Sequence, residues 1–444
     1  MFLTPTLSFT IPSIHDGHKL DCRVFHPRGL LTPPQSQSAA TEDAEEDHTN
    51  APPPWARHIA IVAHPYAPLG GSYDDPIVDL VGSILLQAGF LVATFNFRGA
   101  SKTGGRTSWT SKPEQADYMS IVGFLAYYAH YLDTSSHTGA EQHPSLSPTL
   151  LQCGYSYGAM VTTKIPPLES ILALFHSPAA HTSAADIRLR AQHLAEQQNR
   201  LASMPISPRK SLGMRVGGDE DDNSPRKSHE VRRSRSFERE EKIRKGVKDI
   251  LGRSKLVRRH RGDRHKSENV TDAEHAEHHE VDCMPIVVDF PRFRSAYLTV
   301  SPPIGFMTNL ATLSFPNPFG SLSRKRNQPA QESEGQEKEK EPQNEAEAAE
   351  LKLVRNPTLA VYGSKDEMAQ LYKIREWTAR LKGHTGSQFL DVEINGASHF
   401  WWEEGVIEHL RNAIDTYATS LVKIGEGARI HGTAPGANPA ALPN

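Results

Sequence analysis

The chain has 444 residues, and its 49 Lys and Arg nearly balance its 52 Asp and Glu, so the charge indicates no nucleic-acid or strongly acidic partner. The hydrophobic content of 37% is low for a compact globular protein, so part of the chain is expected to lie outside a packed core. No apolar run approaches the roughly 18 residues that span a bilayer. The N-terminus is a poor signal peptide, and the three cysteines form no metal-binding pattern, so we expect a reduced, cytoplasmic protein.

Apolar strands alternate with helices in the first third of the chain. Continuous apolar runs are typical of parallel strands that are covered on both faces, and apolar residues three and four apart indicate helices. The predicted strands are Leu7–Ile11, Lys19–Phe25, His58–His64, Phe90–Phe95 and Thr149–Cys153, and the predicted helices are Pro76–Ala88 and Glu114–Leu132. This alternation predicts an α/β fold with a mostly parallel central sheet flanked by helices.

The second part of the chain is interrupted by polar segments. We divide the chain into the first part of the main domain (1–180), an insertion (181–284), the second part of the domain (285–424) and a flexible tail (425–444). The insertion begins with a helix at Ala184–Ala202 and continues as a polar segment that is expected to be disordered, as is the loop 31–54. Further elements are the strands Ser295–Ser301, Thr358–Tyr362 and Phe389–Ile394, the linker 321–350, and the helices Gln370–Leu381 and Glu404–Lys423.

The segment Gly154-Tyr155-Ser156-Tyr157-Gly158 lies between a predicted strand and a predicted helix start at Ala159–Thr163. This G-x-S-x-G pattern in a strand–turn–helix context exposes a serine hydroxyl at the carboxyl edge of a sheet. Ser156 is therefore the candidate nucleophile, although a small residue in a tight turn would give the same pattern.

Two further polar residues, Asp366 and His399, follow later strands. A serine hydroxyl needs a base to take its proton, and an imidazole needs a carboxylate to fix its tautomer. Asp366 can also be interpreted as a helix N-cap, and the aromatic residues Phe400, Trp401 and Trp402 after His399 can be explained as packing. Because the carboxyl ends of parallel strands share one edge, we expect Ser156, Asp366 and His399 to meet there.

Acyl transfer also requires donors for an oxyanion. The candidates are the backbone N–H of Tyr157, which directly follows the nucleophile, and that of Tyr66, in the loop after the first core strand. The chemistry requires no metal and no organic cofactor. Arg98 is interpreted as tying a loop to a nearby acid, with a substrate anion as the alternative partner.

These motifs resemble the α/β-hydrolase family, over roughly residues 55–180 and 285–420. A subgroup of small microbial hydrolases is especially similar, through His64-Pro65 with Gly70-Gly71, Phe95-Asn96-Phe97-Arg98-Gly99, and Ser301-Pro302-Pro303. The resemblance implies an α/β-hydrolase fold. This chain departs from the family's pattern in two places: Pro166-Pro167 interrupts the helix after Ser156, and a long, partly disordered insertion precedes the sixth core strand. It also implies a serine hydrolase in which Ser156 is the nucleophile, Asp366 the orienting acid and His399 the base.

The expected substrate is a small molecule with an ester, thioester or related acyl bond. Two alternatives stay open: a non-catalytic binding or scaffold protein with the same fold, and a peptidase that uses the same three residues. Within the insertion, the basic segment 226–266 is either solvated and disordered or a contact for a kinase or an anionic surface. The helix Ala184–Ala202 and the apolar stretch Ile304–Phe319 either cover the acyl pocket or act as a packing appendage and a disordered spacer.

Overall fold

A computed structural model describes residues 4–31, 55–101, 103–108, 110–132, 147–203, 282–304 and 342–427. Several predictions fall outside these ranges. They concern most of the loop 31–54, the basic segment 226–266, the stretch 305–319, and the tail from residue 428. They stay predictions.

The described strands form one eight-stranded sheet, in the order β1-β2-β4-β3-β5-β6-β7-β8. The strands are β1 (Leu7–Pro12), β2 (Lys19–Phe25), β3 (Ile59–Ala63), β4 (Leu91–Phe95), β5 (Thr149–Tyr155), β6 (Arg294–Val300), β7 (Thr358–Gly363) and β8 (Phe389–Ile394). Strand β2 is antiparallel to both β1 and β4, and every other neighbouring pair is parallel. The carboxyl ends of β3 to β8 therefore share one edge of the sheet.

Helices cover both faces of this sheet. They are α1 (Arg28–Leu31), α2 (Pro76–Gln87), α3 (Lys112–Tyr131), α4 (Tyr157–Lys164), α5 (Leu168–His176), α6 (Ser183–Ser203), α7 (Pro342–Arg355), α8 (Leu371–Lys382) and α9 (Val406–Gly427). One face packs against α2 and α9, and the other against α3 to α8. A mostly parallel sheet flanked by helices confirms the predicted α/β-hydrolase fold class.

The local signals explain why these elements form where they do. All residues of β3, β4 and β5 are buried, as their continuous apolar sequences predict. Helix α2 begins where the Asp75 carboxylate accepts the Ile77 N–H at 2.8 Å, with Pro76 in the first turn. It ends before Gly89, whose φ of 92° is easily reached only by glycine.

Three differences from the predictions concern helices. Helix α5 was not predicted; Pro166-Pro167 separates it from α4, and Pro167 is its N-cap residue. Residues 342–350 of the predicted linker 321–350 belong to α7, and residues 425–427 of the predicted tail belong to α9.

Helix α6 bears on one of the open alternatives. Its buried residues Ile187, Ala191 and Leu194 belong to the main hydrophobic core, where the helix packs against α3 and β1. This is the arrangement of a packing appendage, so the structure favours that interpretation of Ala184–Ala202.

Candidate active site

The turn between β5 and α4 holds Ser156 in a strained conformation. Its φ of 55° and ψ of −115° lie outside the regions that a serine normally adopts. The Ser156 N–H donates to the Val300 carbonyl at 2.8 Å, which fixes the turn to the end of β6. A side chain at Gly154 would overlap the backbone of Gly158, and one at Gly158 would place its Cβ 2.5 Å from the Ala63 carbonyl oxygen. The turn therefore needs both glycines of the motif.

The structure brings Ser156, His399 and Asp366 into direct contact. Ser156 Oγ lies 2.8 Å from His399 Nε2, and His399 Nδ1 lies 2.9 Å from both carboxylate oxygens of Asp366. Asp366 and His399 are buried. In sequence, Ser156 is 243 positions from His399, and Asp366 is 33 positions from it. The parallel sheet places the three residues together.

The Asp366 carboxylate has a second set of partners. Its Oδ1 accepts the backbone N–H groups of Met368 at 2.9 Å and Ala369 at 3.1 Å. Helix α8 starts only at Leu371, with Gln370 at its N-cap, so Asp366 caps the turn before the helix and not the helix itself. These bonds hold the carboxylate toward His399. The alternative that Asp366 is the N-cap of this helix is wrong, because Gln370 has that position.

Two features that the sequence analysis missed hold the Asp366 and His399 loops together. Gly363, the last residue of β7, packs against the Ala397 carbonyl so closely that a Cβ would overlap it. Lys365 N–H then donates to the same carbonyl at 2.9 Å. The Tyr155 hydroxyl donates to the His399 carbonyl at 3.0 Å, which ties His399 to the residue before Ser156. The sequence feature that could have indicated a role for Tyr155 is its position next to Ser156 in the G-x-S-x-G motif.

The two candidate oxyanion donors lie on neighbouring loops. The rings of Tyr66 and Tyr157 pack with their centroids 5.2 Å apart, and Tyr157 is the first residue of α4. A side chain at Gly71 would overlap the Pro65 carbonyl, which explains the glycine at this point of the Tyr66 loop. Burial and the nearby Glu114 carboxylate raise the pKa of Tyr157, so its hydroxyl stays protonated.

His64 joins the Tyr66 loop to the loop after β4. It is fully buried, donates from Nδ1 to the Pro65 carbonyl at 2.6 Å, and accepts the Phe97 N–H on Nε2 at 2.9 Å. Burial lowers the pKa of His64 to about 4, so the ring stays neutral in the tautomer that this pair of bonds requires. The residues His64 and Phe97 of the quoted motifs are therefore structural links at the edge that carries Ser156.

Arg98 also has a structural partner. Its guanidinium binds the buried Asp117 carboxylate at 2.6 Å and Asp16 at 2.8 Å, and it donates to the Ser13 hydroxyl at 3.2 Å. These contacts tie the loop after β4 to α3 and to the turn between β1 and β2. Of the two interpretations of Arg98, the one that ties a loop to an acid is confirmed.

Among the described ranges, no group of three or more His, Cys, Asp or Glu is arranged to hold a metal ion. Nor does any helix within those ranges combine the length and apolarity needed to cross a bilayer. Cys153 is a buried strand residue, as expected.

Comparisons with known proteins give similarities to solved structures. No protein-family model matches the chain, and a search of curated proteins finds no match. An α/β serine hydrolase homologue from Coxiella burnetii shares 11% identity over 94% of this chain and 99% of its own, with a TM-score of 0.40. An α/β serine hydrolase without a lid from Xanthomonas campestris shares 15% identity over 98% and 99%, with a TM-score of 0.37. An esterase from Pyrococcus furiosus shares 12% identity over 93% and 90%, with a TM-score of 0.40.

Proposed function

We propose that this protein is a serine hydrolase that cleaves an ester, thioester or related acyl bond through an acyl-Ser156 intermediate. The observation that carries the proposal is the continuous chain of contacts from Ser156 Oγ to His399 Nε2 (2.8 Å), and from His399 Nδ1 to Asp366 (2.9 Å). These distances are those at which a base takes a proton from a nucleophile and a carboxylate orients the base.

The roles follow from the atoms in contact. With its Nδ1 proton directed at Asp366, His399 presents an unprotonated Nε2 to the hydroxyl of Ser156. As Oγ attacks the acyl carbon, its proton moves to Nε2, and Asp366 stabilises the resulting imidazolium. The same proton then passes to the leaving alcohol, thiol or amine. A water molecule, deprotonated by His399, completes the cycle by hydrolysing the acyl-enzyme.

The oxyanion formed in each half of this cycle needs donors that are fixed in advance. We assign this role to the backbone N–H groups of Tyr157 and Tyr66. The Tyr157 N–H belongs to the first turn of α4, where the helix dipole also favours negative charge. Support for Tyr66 comes from the packing of its ring on Tyr157 and from the His64 hydrogen bonds that fix its loop.

The non-catalytic alternative explains the site poorly. A binding protein has no need for a serine held at a φ of 55°, or for a buried imidazole between a hydroxyl and a carboxylate. A peptidase would use the same three residues, so esters and amides must be separated by substrate preference.

A fluorophosphonate probe tests the nucleophile directly. The wild-type chain should be labelled covalently, and Ser156→Ala should abolish the labelling. Ser101→Ala, which removes an exposed hydroxyl from the loop after β4, is the matched control and should label normally. Labelling that persists in Ser156→Ala would refute the assignment. Comparison of the turnover of p-nitrophenyl esters with that of aminoacyl amides would then distinguish an esterase from a peptidase.

A further inference from the structure

An exposed pair of aromatic rings lies beside the imidazole of His399. The Phe400 ring packs edge-on against His399 with the centroids 5.3 Å apart, and Trp402 stacks on Phe400 at 5.1 Å with 26° between the planes. Phe400 is 41% exposed and Trp402 is 82% exposed. The two stacked rings form an exposed apolar patch beside His399, here called the aromatic platform.

Packing alone does not explain this platform. Of the three aromatic residues after His399, only Trp401 is buried, with its Nε1 donating to the Ser301 hydroxyl at 3.1 Å. The Trp401 backbone has a φ of 61°, a strained value for a bulky residue. Trp401 is thus anchored inward while Phe400 and Trp402 stay exposed. An exposed ring of this size contributes little to a core and is more typical of a binding surface.

The chemistry of the proposed function decides which part of a substrate would meet the platform. His399 Nε2 must deliver its proton to the leaving group, so the leaving group lies on the His399 side of the scissile bond. The acyl group lies on the side of the oxyanion donors. The aromatic platform adjoins the ring of His399, the residue that serves the leaving group.

We propose that Phe400 and Trp402 form a leaving-group subsite that binds a flat, apolar alcohol such as a phenol or a naphthol. This inference rests on the proposed hydrolase function and adds the chemical class of the alcohol. Aromatic rings favour stacked or edge-on contact with another ring, and the exposed face of Trp402 is free to provide it.

Two carboxylates set the charge that this subsite accepts. Glu367 accepts the His399 N–H at 3.2 Å, and Glu403 accepts the Ser398 N–H at 3.1 Å, so both lie close to the loop that carries the platform. A carboxylated or sulfonated aromatic alcohol would be repelled by them. Lys365 lies close enough to help lower the pKa of Glu403, so it offsets part of this negative charge. The subsite thus favours neutral aromatic alcohols.

The test compares two acetate esters that give the same acetyl-enzyme, 2-naphthyl acetate and ethyl acetate. For each we would measure kcat/KM, which reports the step that releases the alcohol, with wild type, Trp402→Ala, Phe400→Ala and Leu390→Ala. The control residue Leu390 is 58% exposed but lies near the start of β8, at the far end of that strand from His399. Intrinsic differences in leaving-group reactivity cancel when variants are compared on the same ester.

We expect Trp402→Ala to lower the ratio of the two kcat/KM values, naphthyl over ethyl, by about three- to tenfold, the range that one aromatic contact supplies. Phe400→Ala should act in the same direction, and Leu390→Ala should leave the ratio unchanged. Because Trp402 is largely exposed, its removal should not affect folding, so the test stands even if Phe400→Ala fails to fold.

The other outcomes separate this inference from the proposed function. An unchanged ratio would overturn the subsite, as would an equal loss on both esters, which indicates that the rings only position His399. Fluorophosphonate labelling of Ser156 without turnover of 2-naphthyl acetate would overturn the subsite and leave the nucleophile assignment standing. A chain that neither labels nor turns over any ester would refute the proposed function itself.

Discussion

Lys352 offers a stringent test of how the helix after Ser156 is held. Its side chain is buried, and Nζ donates to the Thr162 carbonyl at 2.9 Å and to the Ile165 carbonyl. Both acceptors belong to the end of α4. Pro166 and Pro167 follow directly and have no N–H to give, so the final carbonyls of this helix depend on Lys352 from α7.

The substitution is Lys352→Met, which roughly keeps the length of the side chain and removes the Nζ donor. Two buried carbonyls would lose a partner, at about 1–3 kcal/mol each. Removal of a buried ammonium offsets part of that loss, because charge is costly to bury. We therefore expect the free energy of unfolding to fall by about 2 kcal/mol at neutral pH.

The pH dependence gives this prediction a definite sign. Burial lowers the pKa of Lys352 well below its ordinary value of 10.5. At pH values between the folded-state pKa of Lys352 and 10.5, the unfolded chain still carries the Lys352 proton that the folded chain has released. Wild-type stability therefore rises with pH in this window, by at most about 1.4 kcal/mol per pH unit. Methionine does not titrate, so the loss of stability caused by Lys352→Met should grow as the pH rises through this window, by at most about 1.4 kcal/mol per pH unit.

Urea unfolding of both proteins at pH 7, 8 and 9 measures this difference. Lys19→Met, at an exposed position of β2, is the control and should show a small, pH-independent effect. Fluorophosphonate labelling at pH 7 should also be slower in Lys352→Met, because a frayed α4 no longer holds the Ser156 turn. A stability loss that shrinks as pH rises, or a gain in stability, would refute the reasoning.

Three further substitutions test the loops around Ser156. Asp366→Asn should lower kcat by about 10⁴-fold with the fold intact, because an amide cannot hold the imidazole in the required tautomer; a loss below tenfold would contradict the role of Asp366. Asp117→Asn should destabilise the chain by about 3 kcal/mol in urea unfolding, because it leaves the Arg98 guanidinium without its buried counter-charge; an unchanged midpoint would contradict it. Gly363→Ala should lower kcat/KM by about 100-fold, because the new Cβ pushes the Ala397 carbonyl and the His399 loop outward; wild-type kinetics would show that the close approach is not needed.

The parts of the fold that the sequence predicted well have strong local signals. Strands β3 and β4 are almost entirely apolar, β5 is mostly apolar, and each is fully buried. The candidates Ser156, Asp366 and His399 could be identified because each lies in the loop that follows a strand, and parallel strands place such loops at one edge.

The parts that the sequence did not reveal depend on contacts between distant segments. Helix α7 begins in a stretch rich in Glu and Gln, whose composition indicates a linker. Its last turns are nevertheless fixed by Leu353 and Val354, which pack with Trp377 and Phe389. Composition does not identify the segments against which such a helix packs. In the same way, nothing near Pro166 indicates that a lysine from α7 supplies the missing donor.

Backbone strain connects these observations at one edge of the sheet. Ser156, Ser301 and Trp401 all have a positive φ, of 55°, 47° and 61°. The Ser156 N–H donates to Val300, the residue before Ser301, and Ser301 in turn accepts from Trp401. Strained residues persist only where their surroundings over-determine them. The turn of Ser156 and the loop of His399 are therefore fixed through the end of β6. The hydroxyl of Ser156 and the imidazole of His399 meet there at 2.8 Å. Such pre-organisation is what the proposed reaction requires, since donors and bases that are already in place lower the barrier of the chemical step.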